Sequence, residues 1–176
     1  ACAPFEHGYV HVYTGDGKGK TTAAMRRALR AAGAGRRVFF AQFVKAGRYG
    51  DIAALERAGA QIVCRQYGRG CWLRGEPAPE DVAAARAGYR EVREALSSGG
   101  YDVVILDELC VAAWFKLLGT EDLLRLIDEK PERIELVFTG RRADPRLIER
   151  ADLVTDMREV KHYYRRGVSA RKGIES

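Results

Sequence analysis

The run Tyr9-Val-His-Val-Tyr13 leads directly into Thr14-Gly15-Asp16-Gly17-Lys18-Gly19-Lys20-Thr21-Thr22, and that junction constrains the fold more than any other feature of the chain. An apolar strand that ends in alternating glycines and then Lys-Thr turns sharply, exposes backbone N–H groups along the turn and starts a helix. This is the arrangement that cradles a polyphosphate. Lys20 supplies a positive charge and Thr21 a hydroxyl suited to magnesium. The usual phosphate loop, G-x-x-x-x-G-K-[ST], needs glycine where this chain has Thr14. Counted from Gly15, the loop is one residue short and contains an additional lysine, Lys18. A shorter loop presents its N–H groups along a different arc, so bound phosphates are not tied to the pose of an ordinary kinase, nor the reaction to the γ-phosphorus.

Downstream, apolar runs rich in β-branched and aromatic residues alternate with helical patterns. Strands read at 9–13, 38–43, 61–64, 101–106, 134–139 and 153–155, and helices at 20–32, 51–58, 79–96, 109–118, 121–129 and 145–150. Such alternation predicts an α/β fold with a mainly parallel six-stranded sheet. The stretch 65–78, with three arginines, one proline and Trp72, has no periodicity and reads as a loop. Loops of that length in compact domains are often functional.

The 176 residues suit one domain, 1–176, with a core that needs no disulfide or metal staple. No window of 18 apolar residues occurs, and the residues before the first strand are too few and too polar for a signal peptide, so a cytoplasmic protein with no membrane partner is expected. Cys2, Cys64, Cys71 and Cys110 form no C-x-x-C pair and are expected as free thiols. The net charge of +6, from 30 basic and 24 acidic residues, suits an anionic ligand and equally plain solubility. A nucleic-acid surface needs clustered basic residues interleaved with aromatics. Only Lys161, Tyr163, Tyr164, Arg165 and Arg166 come near that, so no nucleic-acid partner is expected.

Two further places carry chemistry. Val103-Val-Ile-Leu-Asp107-Glu108 is a buried-strand pattern ending in two carboxylates at the carboxyl edge, where open α/β sheets bind ligands. Either Asp107 or Glu108 can hold magnesium beside Thr21, directly or through water; the competing role for Asp107 is to cap the helix at 109. Thr139-Gly140-Arg141-Arg142 ends the fifth strand at the same edge. Arg141 there is either a phosphate clamp, for which its planar fork is suited, or a solvated surface residue, and Arg142 is read as surface. On these residues alone the chain is a magnesium-dependent nucleotide-binding protein, with a small-molecule kinase and a RecA-like, nucleic-acid-dependent ATPase as the options.

The residues resemble one family over nearly the whole chain, the P-loop class of ATP:corrinoid adenosyltransferases. The resemblance rests on Gly15 to Thr22 with Ala23-Ala24, Gln42-Phe43-Val-Lys45, Leu106-Asp-Glu-Leu109, Thr139-Gly-Arg141, Ala151-Asp-Leu-Val154, Val160-Lys-His162, Gly167-Val168 and Gly173-Ile-Glu175. It implies a RecA-like three-layer α/β/α fold, and transfer of the 5′-deoxyadenosyl group of ATP to the Co(I) centre of a reduced corrinoid with release of triphosphate. It implies that Thr14 to Thr22 and Arg141 bind the nucleotide, that Lys18 and Lys20 neutralise the departing triphosphate with magnesium, and that residues 158–176 pack near the active site. Aromatic side chains that displace the corrinoid's lower ligand are also implied. Trp72 matches the family's tryptophan, while Gly70 stands where the family has the second aromatic residue, which makes Tyr67 the candidate substitute. A flavoprotein reductase as partner and a homodimeric state follow from the same resemblance; related chains often carry an N-terminal segment that covers the corrinoid, whereas here only about eight residues precede the first strand. The preferred corrinoid, complete cobalamin or an intermediate such as cobyrinic acid diamide, stays open.

Overall fold

The computed structural model describes residues 3, 5–47, 50–70 and 76–175. Six strands form one all-parallel sheet: β1 (Val10–Thr14), β2 (Val38–Phe43), β3 (Ile62–Tyr67), β4 (Val103–Asp107), β5 (Glu135–Thr139) and β6 (Leu153–Asp156), in the order β3-β2-β4-β5-β1-β6. Side chains alternate across it. Val12, Phe39, Ala41, Leu106 and Phe138 face one layer, and Tyr13, Phe40, Ile105 and Val137 face the other. Both faces are covered, as a parallel sheet requires.

Helices α1 (Lys20–Gly33) and α2 (Gly50–Arg57) bury Ala24, Met25, Ala28, Ile52 and Leu55 on the second face. Helices α3 (Pro79–Ser97), α4 (Leu109–Trp114), α5 (Thr120–Glu129) and α6 (Pro145–Arg150) cover the first through Tyr89, Val92, Leu109, Leu123 and Leu147. The architecture is thus three-layered α/β/α, with β5 inserted between the strand that feeds the glycine loop and the strand that ends in Asp107.

Two element boundaries depart from the sequence reading by three residues or more. β3 runs on to Tyr67 instead of stopping at 64, because β2 offers partners that far: Ala41 pairs with Arg65, Gln42 with Gln66 and Phe43 with Tyr67. α4 stops at Trp114, four residues early. Lys116 takes a left-handed φ of 59°, and the N–H groups of Lys116 and Leu117 donate to the carbonyls of Ala113 and Ala112. That pair of bonds is a Schellman termination, normally a glycine's place. No described helix is long and apolar enough to cross a membrane.

Candidate functional site

The glycine loop joins β1 to α1 at the carboxyl edge. Gly15 and Gly19 adopt φ of 93° and 112°, conformations in which any side chain would be strained. Gly17 has a different constraint: a Cβ there would lie 2.7 Å from the Arg158 carbonyl carbon and from Met157 O, and its N–H donates to Met157 O at 2.6 Å. The backbone after β6 therefore braces the loop from one side. Helix α1 starts with no side-chain cap and no acidic residue in its first turn, so its orphan N–H groups stay available to an anion.

Lys20 is buried and folds back on the loop, donating from Nζ to the carbonyls of Gly15 at 2.7 Å and Gly17 at 2.6 Å. Burial, followed by the neighbouring Arg141 guanidinium, pulls its ammonium below the ordinary lysine range, against the opposing pull of Glu108 and Asp16. No hydrogen bond or ion pair among the described residues engages Arg141. It lines a cavity of about 500 Å³ beside the loop, together with Gly15, Asp16, Asp156, Arg158, Glu159 and Arg165. Arg142, one residue on, turns the other way and stacks on Trp114, with its guanidinium carbon 4.4 Å from the ring centroid.

Asp107 is fully buried at the end of β4 and accepts three hydrogen bonds: from Thr139 Oγ1 at 2.7 Å, Gln42 Nε2 at 2.9 Å and Thr21 Oγ1 at 3.3 Å. Its side chain does not cap α4; Glu108, at φ 60°, occupies the cap position without a side-chain cap bond. Glu108 instead pairs with Lys45, Nζ to Oε1 at 3.4 Å. Burial lifts the Glu108 carboxyl above its ordinary range, Lys45 opposes that, and Asp107 adds to it.

Among the residues singled out from sequence, Thr14, Gly15, Asp16, Gly17, Lys18, Gly19, Lys20 and Thr21 therefore share one edge with Asp107, Glu108 and Arg141. Thr22 is exposed on the first turn of α1. Tyr67 is engaged elsewhere. Its ring packs on Phe43 at 5.2 Å and against Gly88 of α3, and its hydroxyl donates to Glu91 at 2.6 Å. Burial and that bond push its phenol up. Trp72 lies outside the described residues. Gln42, Gln66 and Thr139 had no assigned role in the sequence reading, yet they organise Asp107, with Gln66 Nε2 donating to Gln42 Oε1 at 2.8 Å. A lone glutamine inside the apolar run Val38–Phe43 was the available signal for the first of them.

Comparison with known proteins adds a family to this geometry. A family model described as ATP:corrinoid adenosyltransferase BtuR/CobO/CobP matches residues 6–176. A protein of Pseudomonas aeruginosa named corrinoid adenosyltransferase is 34% identical over 171 residues, covering 97% of this chain and 84% of its own length. A protein of Escherichia coli K12 with the same name is 34% identical over 177 residues, 99% of this chain and 89% of its own. The corrinoid adenosyltransferase CobA of Salmonella typhimurium is equally similar, at 34% over 177 residues.

Proposed function

The chain belongs to the ATP:corrinoid adenosyltransferase family, and from that premise we propose how its site performs the transfer. The enzyme moves the 5′-deoxyadenosyl group of ATP to the cobalt of a reduced corrinoid: a cobalt–carbon bond forms at C5′, the C5′–O bond breaks, and triphosphate leaves with the bonding electrons. The nucleophile is the corrinoid's own Co(I), so no side chain has to act as nucleophile or general base. What remains for the protein is positioning C5′ and stabilising the charge that gathers on the leaving group.

One observation carries this reading over a kinase. The loop that would hold the phosphates is one residue short of the kinase pattern and carries Lys18 inside it, while the two carboxylates at the end of β4, bonded by Thr139, Gln42 and Thr21 and paired with Lys45, sit where a cation rather than an acceptor hydroxyl is served. The loop side is rich in cations, with Lys18, Lys20 and Arg141 around the N–H groups of α1. Those are the groups we assign to the triphosphate, and loss of one such contact costs about 10²–10³ in rate. When phosphate arrives, Lys20 exchanges its two carbonyl partners for phosphate oxygens.

Thr21, Asp107 and Glu108 are the residues we assign to magnesium. Thr21 Oγ1 lies 3.3 Å from Asp107 Oδ2, and a set of hydroxyl and carboxylate oxygens suits a small, hard cation that takes its remaining ligands from phosphate and water. Magnesium bound there would offset phosphate charge. For the corrinoid we assign Trp72. Tyr67 could join it only by giving up Glu91 and the Gly88 contact. Reduced corrinoid is supplied by a flavoprotein reductase, and the working assembly is a homodimer, which sedimentation of the purified protein reads directly.

The test is an anaerobic mixture of the protein, magnesium, ATP and chemically reduced cobalamin, followed by the corrinoid spectrum and by phosphorus NMR. A light-sensitive alkylcobalamin with stoichiometric triphosphate is expected. ADP and phosphate beside an unchanged corrinoid would refute the reading in favour of a kinase or ATPase.

A further inference from the structure

Lys18, the lysine that the shortened loop contains in addition to the usual one, is met by the far end of the chain. Its ammonium donates to Glu175 Oε1 at 3.3 Å, across 157 positions of sequence. Glu175 is itself tightly held: its side chain is 12% exposed, and it accepts from the Arg171 backbone N–H at 2.8 Å, from the Arg171 guanidinium at 3.2 Å and 3.4 Å, and from the Tyr163 hydroxyl. The Tyr163 ring lies under both cations, 5.8 Å from Lys18 Nζ and 5.0 Å from Arg171 Cζ. All but one of these contacts to the carboxylate are internal to the tail, so the carboxylate is fixed by its own neighbours and Lys18 is the partner that docks onto it.

We propose that Glu175 is a positioning residue for Lys18: the knot of Tyr163, Arg171 and Glu175 holds the additional loop lysine in place for the polyphosphate of the nucleotide. The inference rests on the assignment of the loop to a nucleotide polyphosphate. An ammonium carries three donors, and one spent on Glu175 leaves two for phosphate oxygens. A half-exposed lysine otherwise samples many rotamers and loses them on binding; one already tethered to a carboxylate and a ring face has lost most of them beforehand. A tail that merely placed a negative charge beside the phosphates would act in the opposite sense, since removing that charge would tighten an anionic ligand.

Because the two roles differ in sign, the experiment is decisive. Magnesium–ATP affinity is measured by calorimetry, and kcat and KM for ATP with reduced cobalamin, for the wild type, Glu175→Gln, Lys18→Met and the double variant. Positioning predicts that Glu175→Gln weakens ATP and raises KM about tenfold, with kcat changed less, and that the same substitution changes affinity less than about twofold once Lys18 is Met. Tyr163→Phe, which deletes only the hydroxyl contact, shifts KM the same way by a smaller factor. Unchanged or tighter ATP binding in Glu175→Gln, or an equal loss in the Lys18→Met background, overturns the proposal. Thermal melts of each variant separate a tail that fails to fold from one that fails to position. Binding is read apart from transfer, so a wild type that binds ATP without releasing triphosphate sinks the assigned reaction and still decides the role of Glu175; a wild type that does not bind ATP sinks both.

Discussion

Replacing Gly17 by Ala isolates the brace between the loop and the backbone that follows β6. Of the three loop glycines, Gly15 and Gly19 sit at positive φ, so alanine there mixes backbone strain with crowding; Gly17 does not, and its substitution is a purely steric probe. The new methyl would meet Met157 O and the Arg158 carbonyl carbon at 2.7 Å, and Arg158 O at 2.8 Å, all backbone. One side has to withdraw by roughly 0.7 Å, at an overpacking cost of about 1–3 kcal/mol. Weakening the bond from Gly17 N–H to Met157 O adds about 1 kcal/mol. The molecule can relieve this by letting residues after β6 move off the loop, so global stability falls by no more than that local opening costs. The loop, freed from its brace, loses its arc of N–H groups, and magnesium–ATP affinity falls by about 2–3 kcal/mol, roughly 30- to 150-fold. Calorimetric titration with ATP reads the loss, and a thermal melt shows the fold intact. Gly33→Ala at the end of α1, where an added Cβ meets nothing within 4 Å, is the control and leaves affinity unchanged. Affinity of Gly17→Ala within twofold of the wild type would refute the claim that the tail backbone shapes the loop.

Gly88→Ala puts a methyl 2.4 Å from Tyr67 Cγ in the packed seam between α3 and β3, and denaturant unfolding should show a loss of about 1–3 kcal/mol. Glu108 has a raised folded pKa, so the native state holds its proton more tightly than the unfolded chain. Its contribution is full at acid pH and is lost as pH climbs from about 4.5 through the raised value. In Glu108→Gln that decline disappears from a pH series of unfolding midpoints, while magnesium-dependent ATP binding weakens. Arg141→Met removes a cation that makes no ion pair among the described residues, and kcat/KM for ATP should drop at least about tenfold, with Arg141→Lys recovering only part because the planar fork is gone.

Much of this architecture was legible because its causes are local. A run such as Val103 to Leu106 has to be a buried strand whatever surrounds it, and glycines before Lys-Thr have to turn. The continuation of β3 through Arg65-Gln66-Tyr67 was not legible, since those residues are strand only because β2 extends beside them. The same limit applies within the site. That Asp107 and Glu108 end a strand at the ligand edge follows from the order of residues. That Asp107 is held by Thr139 and Gln42, Glu108 by Lys45, and Lys18 by Glu175 depends on contacts between segments up to 157 positions apart, for which no local pattern exists. Tyr67 shows the converse: the family resemblance offered it as a substitute for the aromatic residue missing at Gly70, while the pairing of β3 turned it onto Gly88 and Glu91.

The two carbonyl bonds made by Lys20 set an entry threshold for anions. With its ammonium already satisfied by Gly15 and Gly17, the loop keeps its shape without a ligand, and an incoming anion gains from Lys20 only what exceeds the bonds it displaces. Orthophosphate, which brings few oxygens and no reach toward Thr21 or Arg141, trades nearly like for like. On the assignment proposed above, a chain of three phosphates would span the N–H groups of α1, the hydroxyl and the guanidinium at once and gain at each. On that assignment, the folded-back lysine thus favours a polyphosphate over a single phosphate, a discrimination built from the loop's own backbone.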